Sequence, residues 1–169
     1  MSVSGISQAS QYLTFRLGEE VFAIDIAQVR EVLDYTPVTR VPRTPDFMCG
    51  VINLRGSVVP VVDMRLKFGM PKTEKTINTC IIIMEISAEG GRAQMGALAD
   101  SVQEVVELEP GSIEPAPKIG AGLRVDFIKG MGKRDEKFII ILDIDRVFSE
   151  EELSDISAVK LPAGAGQAA

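Results

Sequence analysis

Apolar and polar positions alternate along most of the chain in short runs, and glycine or proline interrupts them before a long helix could form. Gln11–Leu17 (QYLTFRL) and Val21–Ile24 predict two strands joined by a turn at Gly18, Glu19 and Glu20. Asp25 followed by Gln28 resembles a capping box. With Ile26, Val29, Val32 and Leu33 as an apolar face, it predicts a short helix over VREV. Pro37, Pro42 and Pro45 mark an extended connector. Then GVINLRGSVVPVVD (Gly50–Asp63) sets two β-branched runs on either side of Arg55–Gly56, which predicts a hairpin with Arg55 presented to solvent. Pro60 cannot donate to a ladder, so the second strand of that hairpin is expected at a sheet edge or beside a bulge.

The pattern then repeats. Thr79–Ile86 and Arg92–Ala99 read as strands about a turn at Glu89–Gly91, and Ser101 with Glu104 predicts a second capped helix carrying Val102, Val105 and Val106. A connector with Pro110, Pro115 and Pro117 leads to Leu123–Lys129, a turn over Gly130–Glu136 and the strand Phe138–Leu142. DFMCGV (Asp46–Val51) echoes DFIKGM (Asp126–Met131), and VPVVD ending at Asp63 echoes IIILD ending at Asp143, both at one offset; Phe68 and Phe148 keep the same spacing. Two copies of one small unit explain these echoes. The predicted fold is mostly β: two SH3-like five-stranded β-barrel subdomains related by internal duplication, with short helices. The expected organisation is a flexible N-terminus over residues 1–10 and one domain over 11–149. Within it, residues 11–70 plus the C-terminal closing strand and helix region form one subdomain, and 79–148 form the other. A short helix opened by Ser149 and Glu152 and a disordered Gly/Ala-rich tail then occupy 150–169.

Composition narrows the function. Of 169 residues, 46% are hydrophobic but only 5% aromatic, so Val, Ile, Leu and Met must build the core. A net charge of -6 argues against nucleic acid and anionic membranes as partners. No run suggests a signal peptide or a membrane span, and the expected location is the cytoplasm. There is no histidine, which removes the commonest metal ligand and the usual base of nucleophile triads. Cys49 and Cys80 stand far apart and read as reduced core fillers. Gly130–Lys133 (GMGK) lacks the spacing of a phosphate loop and is read as a hairpin turn. Asp63 and Asp143, at equivalent strand ends, are expected to cap backbone groups, and Gly50 and Gly130 to mark bends or close approaches. No catalytic residue, metal site or cofactor is predicted.

VINLRGSVVPVVDMRLKFG resembles the signature segment of the CheW family, the bacterial chemotaxis coupling proteins. FRLGEEVFAIDIAQVREVL, VTRVPRTPDFMCGV and DSVQEVVEL extend the likeness from Gln11 through Phe148. The hairpin also resembles the regulatory domain of the kinase CheA and the coupling half of CheV proteins, but the chain is short for a kinase and no receiver domain is expected after Phe148. The resemblance implies two intertwined SH3-like barrels with a groove between them. It implies a noncatalytic adaptor tying the cytoplasmic tip of methyl-accepting chemoreceptors to the regulatory domain of the histidine kinase CheA, recruited to membrane-associated arrays without inserting in the membrane. It places partner contacts at Arg55, Glu31, Val29 and Val105, with Gly50 opening the hairpin strand. Glu31 and Arg55 are expected to pair. The competing reading is a small barrel enzyme or ligand-binding protein using carboxylates in the groove; aliphatic lining there would favour the adaptor.

Overall fold

The computed structural model describes residues 10–88, 91–115, 127–134, 136–149, 151–153 and 156. β1 (Ser10–Leu17) and β2 (Glu20–Asp25) form a hairpin, followed by a 3-10 turn over Ile26–Gln28 and then β3 (Val29–Asp34). β4 (Met48–Leu54) and β5 (Ser57–Asp63) form the second hairpin and lead into a single helical turn, α1 (Met64–Lys67). After the linker come β6 (Cys80–Ala88), β7 (Gly91–Ala99), β8 (Ser101–Leu108), the short β9 (Ile113–Glu114), β10 (Ile128–Arg134), β11 (Lys137–Leu142) and α2 (Ile144–Val147).

The two halves of the chain exchange strands. One sheet runs β8-β1-β2-β11-β10-β9 and the other β3-β6-β7-β5-β4. Replacing each strand by its repeat counterpart (β1 by β6, β2 by β7, β3 by β8, β4 by β10, β5 by β11) converts one order into the other, leaving β9 over. Each sheet contains one parallel pair at the same place, β2 with β11 and β5 with β7. The barrels therefore do not follow the split into 11–70 plus the C-terminal closing region and 79–148: the β1–β2 hairpin sits between β8 and β11 of the second half, and the β6–β7 hairpin between β3 and β5 of the first.

Each sheet curls into a small SH3-like barrel, and the chain closes each one by the same manoeuvre. After edge strand β3, Thr39 bridges Val51 of β4, with Thr39 N donating to Val51 O at 2.9 Å and Val51 N to Thr39 O at 2.8 Å. After edge strand β8, a 3-10 turn over Pro110–Ser112 carries the chain into β9, which pairs with Met131 and Gly132 of β10.

Strand alternation divides the core into three. Tyr12, Ala23, Val106, Ile113 and Ile141 fill the six-stranded barrel, and Ile52, Val59, Val61, Ile81 and Ile83 the five-stranded one. Their neighbours point the other way, so that Leu13, Phe15, Leu17, Ile82, Met84 and Met95 meet between the barrels. Where the resemblance implies a groove, the centre of the seam is packed. Its aromatic pairs repeat the exchange: Phe68 stacks on Phe127 at 5.0 Å, and their counterparts Phe148 and Phe47 lie 5.4 Å apart.

Four local expectations need correction. VREV is strand β3 and SVQEVV is strand β8, not helices. Asp25 Oδ1 does accept the Ala27 N–H at 2.9 Å, but the helix it caps is a single 3-10 turn. Gly130–Lys133 lies within β10, and the turn falls after it, at Glu136 (φ 64). Pro60 is on an interior strand, at a point where β5 is paired with β4 alone; the partnership with β7 starts at Val61, and the bulge sits on β4 between Met48 and Gly50. The expected turn residues Glu89 and Gly90, and most of Leu123–Lys129, fall outside the described residues.

Candidate functional site

The Arg55–Gly56 turn of the β4–β5 hairpin has positive φ at both residues, 51° and 89°, as a two-residue type I′ turn requires. Asn53 Oδ1 accepts the Gly56 N–H at 2.8 Å and holds the turn. Glycine adopts this geometry freely; arginine does so at a cost, and here it leaves the Arg55 side chain 70% exposed. Closure of the barrel brings β3 around to this hairpin. Both terminal nitrogens of the Arg55 guanidinium reach the carboxylate of Glu31, Nη1 to Oε1 at 3.4 Å and Nη2 to Oε2 more closely. The hydrogen bonds from Arg55 hold the Glu31 carboxyl below its usual range and raise the guanidinium above its own. An exposed pair of this kind contributes little to stability.

Charge continues across the sheet. Arg30, beside Glu31, reaches Glu85 Oε2 at 3.3 Å, and Arg92 reaches Glu85 Oε1 at 3.2 Å. Three guanidiniums and two carboxylates thus interleave on one end of the five-stranded barrel of an acidic protein. Arg30 lies within VREV, but Glu85 and Arg92 lie in no motif, and only the cross-strand register that pairs β6 with β3 and β7 brings the three together.

The remaining expected residues separate. Val29 is half-buried against the packed seam. Gly50 is buried, with φ 147°, and a Cβ there would stand 2.1 Å from Thr39 O, so its place is explained by the close passage of the connector. Val105 is 47% exposed, but on edge strand β8 of the other barrel. Its repeat counterpart Val32 is 40% exposed on edge strand β3, and the resemblance did not single it out.

The carboxylates do not converge as acid and base. Asp63 is buried and accepts hydrogen bonds from Arg65 N at 3.0 Å, Thr73 N at 2.9 Å and Thr73 Oγ1 at 2.7 Å, the capping task expected of it. Asp143 keeps the backbone half of that arrangement: its N–H donates to Phe127 O at 2.7 Å, as that of Asp63 does to Phe47 O at 2.7 Å. Among the described residues its side chain makes no cap bond to α2 and lies 3.6 Å from Arg146 Nε instead. Among the described residues no group of three or more Cys, Asp or Glu side chains could hold a metal ion. Both cysteines are free thiols.

Comparison with known proteins agrees with this arrangement. The model of the CheW-like domain family matches residues 11–152. The chain is 35% identical over 157 residues to a chemotaxis protein CheW of Klebsiella aerogenes, covering 93% of this chain and 92% of that one. It is 33% identical over 152 residues to a probable chemotaxis protein CheW of Rhizobium etli, covering 89% and 96%. The crystal structure of the scaffolding protein TtCheW from Thermoanaerobacter tengcongensis superposes with a TM-score of 0.74 at 36% identity, over 85% of this chain and 94% of that one.

Proposed function

Because the chain belongs to the CheW-like domain family and is a noncatalytic chemotaxis adaptor, we propose that it couples the regulatory domain of the histidine kinase CheA to the cytoplasmic tips of methyl-accepting chemoreceptors. The Arg55–Glu31 pair is the contact that fixes register with a partner. The observation that carries this reading is an arginine in a left-handed turn conformation, held outward and bonded to an edge-strand carboxylate, in a position where the fold gains almost nothing from it. Val105, on the opposite barrel, suits a second partner, so that one molecule serves two neighbours at once. No helix among the described residues is long and apolar enough to cross a membrane. The protein works in the cytoplasm, brought to membrane-associated arrays by its receptor contact.

The test is a size-exclusion assay of the protein with a CheA regulatory domain and a receptor tip fragment. The wild type is expected to form a ternary complex. Arg55→Glu is expected to lose one of the two partners while its melting temperature stays within about 2 °C, the range of an exposed ion pair. Unfolding of the variant, or an undiminished complex, overturns the role given to Arg55; no complex with the wild type overturns the pairing of partners.

A further inference from the structure

At the end of β5 opposite the Arg55 turn, a cleft of about 350 Å³ opens between the β3–β4 connector, the C-terminal end of β5 and the linker that follows α1. We infer that this cleft is a binding site for a small organic anion, one with an apolar body and a terminal phosphate or carboxylate. The inference is independent of the adaptor reading.

The cleft is a built feature of the fold. Asp63 pins the linker through Thr73 N and Thr73 Oγ1, and the Thr79 hydroxyl accepts the Thr76 N–H at 2.8 Å, so the linker is anchored at two points. Those anchors set Lys72 and Lys75 along one rim; Arg40 lines the cleft from the connector. Lys75 Nζ is held 4.8 Å from the centre of the Tyr35 ring. None of these three cations is in an ion pair among the described residues, unlike Arg30, Arg55, Arg65, Lys67 and Arg92. Asp46 also lines the cleft, and the carboxylate of Asp63 is already committed to three donors.

Behind the cations the wall is apolar, made by Val38, Met48, Cys49, Leu66 and Leu98. Burial pushes the Cys49 thiol up to about 12, so this wall carries no thiolate at neutral pH. Its size falls in the lower part of the roughly 300–1,000 Å³ range of small-ligand sites. In a chain of net charge -6, unpaired cations around an apolar floor match a ligand whose charge stays at the rim while its body enters.

Isothermal titration calorimetry with phenyl phosphate, phenylacetate, inorganic phosphate and benzyl alcohol tests this. A saturable isotherm is expected for phenyl phosphate or phenylacetate, with the stronger of the two naming the preferred head group. Inorganic phosphate and benzyl alcohol should bind at least about tenfold more weakly, since each lacks one half of the chemistry. Arg40→Ala with Lys72→Ala, two exposed positions, should weaken binding roughly tenfold or more. Val38→Phe should block the apolar body and abolish binding. No saturable heat for either aryl anion at roughly 10 mM, a concentration that still detects millimolar affinity, overturns the inference. So does binding that both variants leave unchanged, and so does equal binding of inorganic phosphate.

Discussion

Gly50→Ala is the sharpest test of how the five-stranded barrel is closed. A Cβ at this residue would lie 2.1 Å from Thr39 O, 2.7 Å from Thr39 C and 3.1 Å from Arg40 Cα, and all three atoms are backbone. The connector would have to move away, breaking the two hydrogen bonds between Thr39 and Val51. At about 1 kcal/mol each, these account for about 2 kcal/mol. A side chain at φ 147° adds strain of about 1–2 kcal/mol. The expected loss is about 3–4 kcal/mol, or a melting temperature lowered by roughly 6–16 °C for a domain of this size. Gly132→Ala is the control. There the nearest atom, at 2.8 Å, is Cδ1 of the Leu108 side chain, which can rotate away, so the net loss should not exceed about 1 kcal/mol. Denaturant titration gives both values, and hydrogen exchange at Thr39 and Val51 should speed up in the first variant alone. Equal stability of the two variants would refute the close-approach argument.

The Asp63 and Asp143 counterparts should differ in the same assay. Asp63→Ala strips three donors of their acceptor at a buried position and should cost about 2–4 kcal/mol, whereas Asp143→Ala, with no cap bond to lose, should cost less than about 1 kcal/mol; similar losses would contradict the asymmetry. Glu152 gives a pH signature. Burial works to raise its pKa, but the Ser149 N–H at 2.8 Å and the Lys67 ammonium at 2.9 Å outweigh it and hold the carboxyl below the ordinary range. Its contribution to stability is therefore complete above the ordinary glutamate pKa and is lost as pH falls through the lower folded value. Glu152→Gln should flatten the acid limb of the stability profile there, and an unchanged limb would show that the clasp to Lys67 is not felt.

The hairpins and the duplication were legible because they rest on local chemistry: β-branched runs, glycine at a turn, and strings recurring at one offset. The Ser149–Glu152 capping box was legible too, and both of its bonds form, at 2.8 and 3.0 Å. β3 and β8 were misread for a definite reason. Each is bulged, with register shifts between Val29 and Glu31 and between the partners of Val102 and Val105, and a bulge disrupts the two-residue period that marks a strand. What remained of the pattern fitted a helical spacing, and the Asp25 and Ser101 caps reinforced it. The valines were the better guide, since β-branching favours the pleated state. The contacts of Arg30 and Arg92 with Glu85, and the cleft beside Tyr35, depend on which strands lie side by side, and no local string records that.

The strand exchange also sets an order of events at the ribosome. The five-stranded barrel has all its strands once Ala99 has been made, but β1 and β2, the first to emerge, wait for β8 and finally for β11, which ends at Leu142. Until then Tyr12 and Ala23, which fill that barrel together with Val106, Ile113 and Ile141, have no finished core to join. Of all the strands, the β1–β2 hairpin therefore stays exposed longest, and β11 is the strand that completes its barrel.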